Sequence, residues 1–444
     1  MIRLKRKIDN FLREWKRRHN HKPLIVKGAR QIGKTYSIDL FASEEYDNII
    51  KINFILQKEY TSIFDEGYSV DTIIKNISFI NPSFKFEAGQ TLIFFDELQN
   101  CPKAATSLKS FCIDGRFDVI CSGSLMGINY NEIESNAVGY KEDYEMFSLD
   151  FEEFLWARGY DDNAISALRE SLLSLTPLTN SQFSILSDIF RDYMVVGGMP
   201  AVVDQFISEG NFSGTLAIQK QLLLDYEEDI TKYAKGLDKG KILNVYRHIS
   251  TFLGKENKKF QISKVALHAR SRDYEGVVEW LGSAGIVNVA YCLASPELPL
   301  KGNYRHDMFK LYYQDTGLLV ASLDEEAQVD LRVNRNFATY KGAIYENVVA
   351  DMLRKAGYDL YYYRNEKSSI EMDFMLRSAN TLIPVEVKAN DSTSRSLQKL
   401  TDGRITDIKY GIKLCHRNIG FNDRFYTIPY FLTFALREFI RTLP

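Results

Sequence analysis

Residues 24–35 read Leu-Ile-Val-Lys-Gly-Ala-Arg-Gln-Ile-Gly-Lys-Thr, an apolar run entering a loop with two glycines that closes on a lysine-threonine pair. A loop of this make-up behind a strand is suited to wrapping phosphates. Gly28 and Gly33 let the backbone turn tightly, so that N–H groups of the stretch Gly28, Ala29, Arg30, Gln31, Ile32, Gly33, Lys34, Thr35 and Tyr36 face phosphate oxygens. Lys34 sets a positive charge against the outer phosphates, and Thr35 offers a hydroxyl to magnesium. Beyond it, Ile38, Phe41 and Ala42 keep helical spacing, so the loop opens a helix whose N-terminal dipole favours an anion. Strand, loop and helix in this order predict a parallel sheet that binds a nucleoside triphosphate.

A second stretch supplies the groups that such a loop lacks. Thr91-Leu92-Ile93-Phe94-Phe95-Asp96-Glu97 reads as a strand buried on both faces and ending in two carboxylates. Asp96 is expected to meet the metal held by Thr35, and Glu97 to polarise the attacking water. Phe117–Ser122 reads as another buried strand ending in a hydroxyl. Ser122, or Ser124 two positions on, is the candidate for contact with the terminal phosphate or the water, although a serine-glycine turn needs no function.

The 444 residues, 45% hydrophobic and 26% charged, allow about three domains. No apolar run is long enough to span a bilayer and no targeting segment is recognisable, so a cytoplasmic location without membrane contact is expected. Five cysteines without paired spacing read as reduced thiols rather than disulfides or a zinc site. A net charge of −2 indicates no class of partner, but residues 1–34 hold twelve Lys or Arg against Asp9 and Glu14. With Leu4, Ile8, Phe11, Leu12 and Trp15 at helical spacing, this reads first as an amphipathic helix with a solvated basic face, and second as a contact for nucleic acid or acidic protein. The six histidines show no ligand spacing, and His19 and His21 are expected to be solvated in a polar loop.

Strand signals at Leu24–Val26, Ile49–Phe54, Leu92–Phe95, Phe117–Cys121 and Tyr144–Phe147 alternate with helical stretches, giving a nucleotide-binding core over residues 1–150. Residues 151–240 keep a helical period, broken at Gly197-Gly198-Met199-Pro200, and read as a helical lid. Residues 241–325 pair two helical stretches with two strand-like segments, Ile286–Tyr291 and Met308–Tyr313, the order of a winged helix. Lys255, Lys258, Lys259, Lys264, Arg270 and Arg272 there would suit phosphate contact, or form the solvated face of a protein-packing module.

Residues 326–444 hold a second chemical constellation. A helix over Tyr340–Ala356 carries Glu346, and alternating strands follow at Ile370–Phe374 and Ile383–Lys388. Period two sets Glu386 and Lys388 side by side on one face, with Asp373 ending the neighbouring strand. Asp373, Glu386 and Glu346 then form a candidate magnesium site beside which Lys388 orients water for phosphodiester attack, the carboxylate and E-x-K arrangement of restriction-endonuclease-like nucleases.

Over nearly its full length the chain resembles prokaryotic AAA-type ATPases that carry a C-terminal domain of unknown function with a restriction-endonuclease-like fold. The stretches that carry the likeness are GARQIGKT, LIFFDELQ, CSGS, LDFEEFLWA, VGGMPAVV, DYEEDITKY, EMDF and PVEVKA. The resemblance implies an α/β fold: a P-loop NTPase (AAA-type) parallel sheet with helices on both faces, a helical lid, a winged-helix module and the C-terminal restriction-endonuclease-like α/β domain. It also implies ATP and Mg2+ as ligands and ATP hydrolysis, with Lys34, Thr35, Asp96 and Glu97 in the roles given above. Where related chains commonly show glycine-arginine, this one reads Gly139-Tyr140-Lys141, which lacks the arginine of the usual finger and predicts slow turnover unless Lys141 or an arginine elsewhere substitutes. Two readings follow. In one, the nucleotide state controls a nuclease-like domain that binds and cuts DNA; in the other, the chain is a nucleotide-dependent switch with a non-cleaving domain and a protein partner.

Overall fold

A computed structural model describes residues 2–126, 137–234, 238–254, 260, 274–323, 326–333, 339–365, 370–389, 393–422 and 424–443. The chain divides into two units, Lys5–Ser148 and Leu149–Pro444, the latter together with Met1–Leu4.

The Lys5–Ser148 unit runs α1 (Lys7–Arg17), β1 (Leu24–Gly28), α2 (Lys34–Glu45), β2 (Asn48–Asn53), α3 (Val70–Ile80), β3 (Thr91–Asp96), α4 (Pro102–Asp114), β4 (Asp118–Ser124) and β5 (Glu142–Glu145). Its strands form one parallel sheet in the order β2-β3-β4-β1-β5. β3 is buried along its whole length, as an apolar strand at the centre of a parallel sheet must be. Phe54, Phe64, Phe95 and Phe111 pack ring against ring in the core beside it. Asn53 lies opposite Asp96 and Val26 opposite Ser122, so the carboxyl ends of four strands meet at one edge, where open α/β sheets hold their ligands. β4 continues to Ser124, which places both serines within the strand rather than in a turn after it.

The basic amino-terminal stretch is used by the fold. α1 buries Ile8, Leu12 and Trp15, while Arg13 pairs with Glu44 at 2.9 Å and Arg18 with Glu142 at 2.8 Å. His21 departs from its expected solvated position. Its Nε2 lies 2.8 Å from Asp118 Oδ1, Tyr46 donates its hydroxyl to Asp118 Oδ2 at 2.6 Å, and the Trp15 ring meets the imidazole edge-on at 4.4 Å. A histidine next to a buried tryptophan is drawn in with it.

The second unit begins with α5 (Phe151–Ala157), α6 (Asp162–Leu173), α7 (Asn180–Val196), α8 (Pro200–Glu209), α9 (Thr215–Tyr233), α10 (Lys239–Leu253) and α11 (Glu275–Ser283). Strands β6 (Val287–Leu293) and β7 (Tyr304–Tyr313) precede α12 (Thr316–Ala321), α13 (Glu326–Arg332) and α14 (Thr339–Lys355). Then come β8 (Leu360–Arg364), β9 (Glu371–Met372), β10 (Phe374–Ser378), β11 (Thr381–Lys388), α15 (Arg395–Leu400), β12 (Gly411–Cys415), β13 (Gly420–Asn422), β14 (Phe425–Pro429) and α16 (Leu436–Thr442). Capping boxes start α5 at Asp150 with Glu153 and α7 at Thr179 with Gln182. The glycine break after α7 has a packing cause: Gly198 N donates to Asp315 at 2.7 Å, and a Cβ on Gly198 would stand 1.9 Å from the Leu149 carbonyl oxygen.

Two sheets organise the rest. β6 and β7 form the antiparallel pair expected at the end of a winged helix, yet β6 also pairs in parallel with β8, giving the sheet β7-β6-β8-β9 across the expected boundary at 325. The six basic residues between 255 and 272 lie outside the described residues. The second sheet runs β10-β11-β12-β14-β13, with β11, β12 and β14 parallel. The single strand expected over Ile370–Phe374 divides at Asp373, because β9 joins one sheet and β10 the other. Asp373 Oδ2 accepts from Val387 N at 2.8 Å and fixes this corner. Among the described residues no helix is long and apolar enough to cross a membrane.

A candidate nucleotide site and a second carboxylate cluster

The loop between β1 and α2 is held by its own backbone and by Arg6. Gly28 stands where a Cβ would come within 2.2 Å of the Met146 carbonyl oxygen, so its smallness serves close packing of the loop on the neighbouring chain. Gln31 and Gly33 both take left-handed backbone conformations, at φ 60° and 92°. Arg6, buried, donates from Nη1 to Ile32 O at 3.0 Å and from Nη2 to Phe147 O at 2.7 Å. Ala29 and Ile32 are buried, so these two offer backbone rather than side chain to a ligand, while the Tyr36 side chain is exposed. Lys34 Nζ lies inside the loop, 2.6 Å from Ala29 O and 3.2 Å from Gly28 O. Burial lowers the Lys34 pKa to about 8, against the opposing pull of Glu97 and Asp96 and aided by the nearby Arg30 charge.

Asp96 is the hub at the sheet edge. Its Oδ1 accepts from Thr35 Oγ1 at 3.1 Å and from Ser122 Oγ, and its Oδ2 accepts from Asn53 Nδ2 at 2.9 Å. A hydroxyl and a carboxylate facing each other are hard oxygen donors of the kind magnesium takes, so Thr35 and Asp96 fit that ion. Glu97 follows in the left-handed region, φ 61°, a conformation that costs a non-glycine residue about 1–3 kcal/mol and gathers at functional sites. Gln99 donates to Glu97 Oε2 and accepts from Ser124 N at 3.3 Å, linking the carboxylate to β4. Ser124 Oγ is buried with no hydrogen-bond partner among the described residues. Lys141 is engaged with Asp143 at 2.7 Å.

The second constellation is arranged differently from its expected form. Lys388 Nζ does lie beside Glu386, 2.9 Å from Oε1, and Glu386 is buried with its Oε2 unpartnered among the described residues. Glu346, however, accepts from Lys310 Nζ at 3.1 Å and from the Tyr312 hydroxyl at 2.5 Å. Lys310 reaches Glu371 as well, at 3.2 Å, and its ammonium lies 4.8 Å from the centre of the Tyr362 ring. Burial disfavours the charge on Lys310, but Glu346, Glu371 and Asp373 outweigh it and raise its pKa. Among the described residues no three of His, Cys, Asp and Glu form a group that could hold a metal ion. Glu346, Asp373 and Glu386 are therefore not brought together as metal ligands: Lys310 and Tyr312 occupy Glu346, and Asp373 is turned to the Val387 backbone.

Residues 20–155 match the family described as an AAA domain. They form an AAA-type P-loop ATPase domain. Two matches to domains of unknown function follow, DUF8612 over residues 187–329 and DUF4143 over residues 341–432. No curated relative matches the chain. Among solved structures, a Walker-type ATPase of Pyrococcus abyssi is 12% identical with a TM-score of 0.44, covering 72% of this chain and 96% of its own. The ORC2 protein of Aeropyrum pernix, solved as ADPNP-ADP complexes, is 12% identical with a TM-score of 0.37, covering 75% and 94%. The RuvB Holliday junction branch migration motor of Thermotoga maritima is 15% identical with a TM-score of 0.28, covering 63% and 87%.

Three residues of the AAA domain's edge escape a reading of the sequence. Asn53 ends β2 level with Asp96, Arg6 clamps the loop from the amino-terminal stretch, and Gln99 holds Glu97. Asn53 had a weak signal at most, an asparagine closing the run Ile49-Ile50-Lys51-Ile52, and the register that sets it level with Asp96 is not written in that run. Arg6 had none, because it sits among eleven other basic residues within the first 34 positions.

Proposed function

We propose that this chain is an ATP-hydrolysing switch whose nucleotide state controls a C-terminal region that binds a partner and does not cut it. The observation that carries the first half is the meeting of Lys34, Thr35, Asp96, Asn53 and Ser122 at the carboxyl edge of one parallel sheet. Loop N–H groups and Lys34 bind the phosphates of ATP. Thr35 and Asp96 hold magnesium, which neutralises phosphate charge when bound. Glu97, kept in place by Gln99, accepts a proton from the attacking water, while Ser122 or Ser124 contacts the outer phosphate. With Lys141 committed to Asp143 and no arginine in its place, turnover is slow, which suits a switch more than a motor.

Of the cleaving and non-cleaving readings of the C-terminal region, the ammonium of Lys310 against Glu346 and Glu371 supports the second. A protein or DNA partner remains compatible with it. The test is ATP hydrolysis in magnesium by wild type, Lys34→Ala, Glu97→Gln and Lys388→Ala, with and without single- and double-stranded DNA, the DNA run on a gel from the same tubes. Expected are turnover lost in Lys34→Ala, turnover lowered about 10²–10⁴-fold in Glu97→Gln with ATP still bound, and intact DNA throughout. DNA cut by wild type but not by Lys388→Ala would overturn the non-cleaving reading and leave the ATPase reading standing.

A further inference from the structure

The parallel strands β11, β12 and β14 end side by side, and beyond their carboxyl ends lies a cavity of about 80 Å³ closed by α7 and α14. In open α/β sheets this edge is where ligands sit. The volume is far below the ~300 Å³ at which drug-sized ligands begin, so the cavity admits one small group and excludes a nucleoside. Arg191 from α7, Lys341 from α14 and His416 after β12 all line it. The three share one cavity, and burial, aided by the Arg191 and Lys341 charges, holds the His416 pKa below its ordinary value. The acid beside them is Asp188, an exposed carboxylate 3.0 Å from Arg191 Nη2 on the same helix. A single carboxylate engages at most two of the five guanidinium N–H groups, which leaves donors for a second oxyanion.

Aromatic rings frame the same space. Phe183 lies 5.1 Å from the His416 ring and Tyr345 lies 4.4 Å from Tyr430, whose hydroxyl donates to the carbonyl of Lys388. The cavity thus adjoins the end of the E-x-K strand without using its carboxylates. We propose that it is a phosphomonoester site, in which Arg191 and Lys341 match the two charges of a terminal phosphate and the His416 ring forms one hydrogen bond to it. The rings wall the space around the phosphate itself, and the group that bears it stays outside the cavity. The site belongs wholly to the Leu149–Pro444 unit and does not depend on the nucleotide reading of the other unit.

Two sources present this chemistry, free phosphate and the phosphorylated end of a nucleic acid strand. The full-length Lys34→Ala variant, which silences the phosphate loop, is titrated with a fluorescent hexanucleotide bearing a 5′-phosphate and with its 5′-hydroxyl counterpart, and then with inorganic phosphate as competitor. A strand-end site gives at least about tenfold tighter binding of the phosphorylated strand, lost on adding Arg191→Gln or Lys341→Met. Equal binding of the two strands with calorimetric binding of inorganic phosphate that Arg191→Gln removes assigns the site to free phosphate. Phosphate binding that neither Arg191→Gln nor Lys341→Met changes, or no binding of any probe by a variant whose circular dichroism is that of wild type, overturns the proposal.

Discussion

Lys34 is a cation whose proton the fold loosens. With its pKa lowered to about 8 by burial, the lysine begins to lose its charge just above neutrality, whereas a bound phosphate holds the proton on. ATP binding above pH 8 must then take up a proton, and affinity falls by up to about tenfold for each further pH unit. Isothermal titration of wild type from pH 7 to 10 is expected to show this loss, and Lys34→Arg, charged throughout that range, to show none of it. His21 acts in another window. Its pKa is raised above 6.5 mainly by the Asp118 hydrogen bond, so its stabilising effect is present below pH 6.5 and lost as pH rises through the higher folded value. Burial pushes the Asp118 pKa up, yet His21 and Tyr46 hold it below 3.8, so that contribution is present above 3.8 and lost as pH falls. Urea midpoints of wild type and His21→Gln should therefore differ most between about pH 4 and 6.5 and converge at alkaline pH. A gap that stays constant to pH 9 would mean that the imidazole acts through packing alone.

At the scale of elements, Lys310 joins three of them: it stands on β7, contacts Glu346 on α14 and Glu371 on β9, and is itself almost wholly buried. Lys310→Met takes away the ammonium that faces the buried Glu346 carboxylate, a change worth about 3–5 kcal/mol. The double variant Lys310→Met/Glu346→Gln is expected to recover part of that loss in urea unfolding, since position 346 then carries no buried charge, while Glu371 still lacks the Lys310 ammonium. The same residues show what a sequence discloses at this level. The β1 loop, the β3 carboxylates and the helix of α14 were legible because each is written in consecutive residues at one period. The corner at Asp373 was not, because period two announces a strand and says nothing of its partner; only the pairing of Ala290 with Leu360 draws β8 and β9 away from β10. Lys310 had a faint signal, a lone lysine inside Met308-Phe309-Lys310-Leu311-Tyr312-Tyr313, a run too apolar to leave a solvated charge in its middle. Glu346 was read as an acid on that helix and a candidate metal ligand, and its pairing with Lys310 was missed for want of that inference.

For the molecule as a whole, the decisive property of a switch is that the bound nucleotide changes the free energy of a part of the chain that does not touch it. Lys5–Ser148 and Leu149–Pro444 are separate units, each with its own sheets and buried core, so calorimetry is expected to resolve two unfolding transitions. ATP bound by the AAA domain at a hundred times its Kd stabilises that unit by about 2.7 kcal/mol, and its transition rises accordingly in wild type but not in Lys34→Ala. A shift in the second transition is the discriminating result. Coupling between sites is a free energy shared in both directions, so if ATP alters the C-terminal unit, an occupant of that unit must alter ATP affinity by the same factor. Equal shifts measured both ways, by calorimetry with ATP and by ATP titration with the C-terminal occupant, establish the switch. A second transition that stays fixed while the first one rises leaves an ATPase domain joined to an independent binding unit, and the control of one by the other is then discarded.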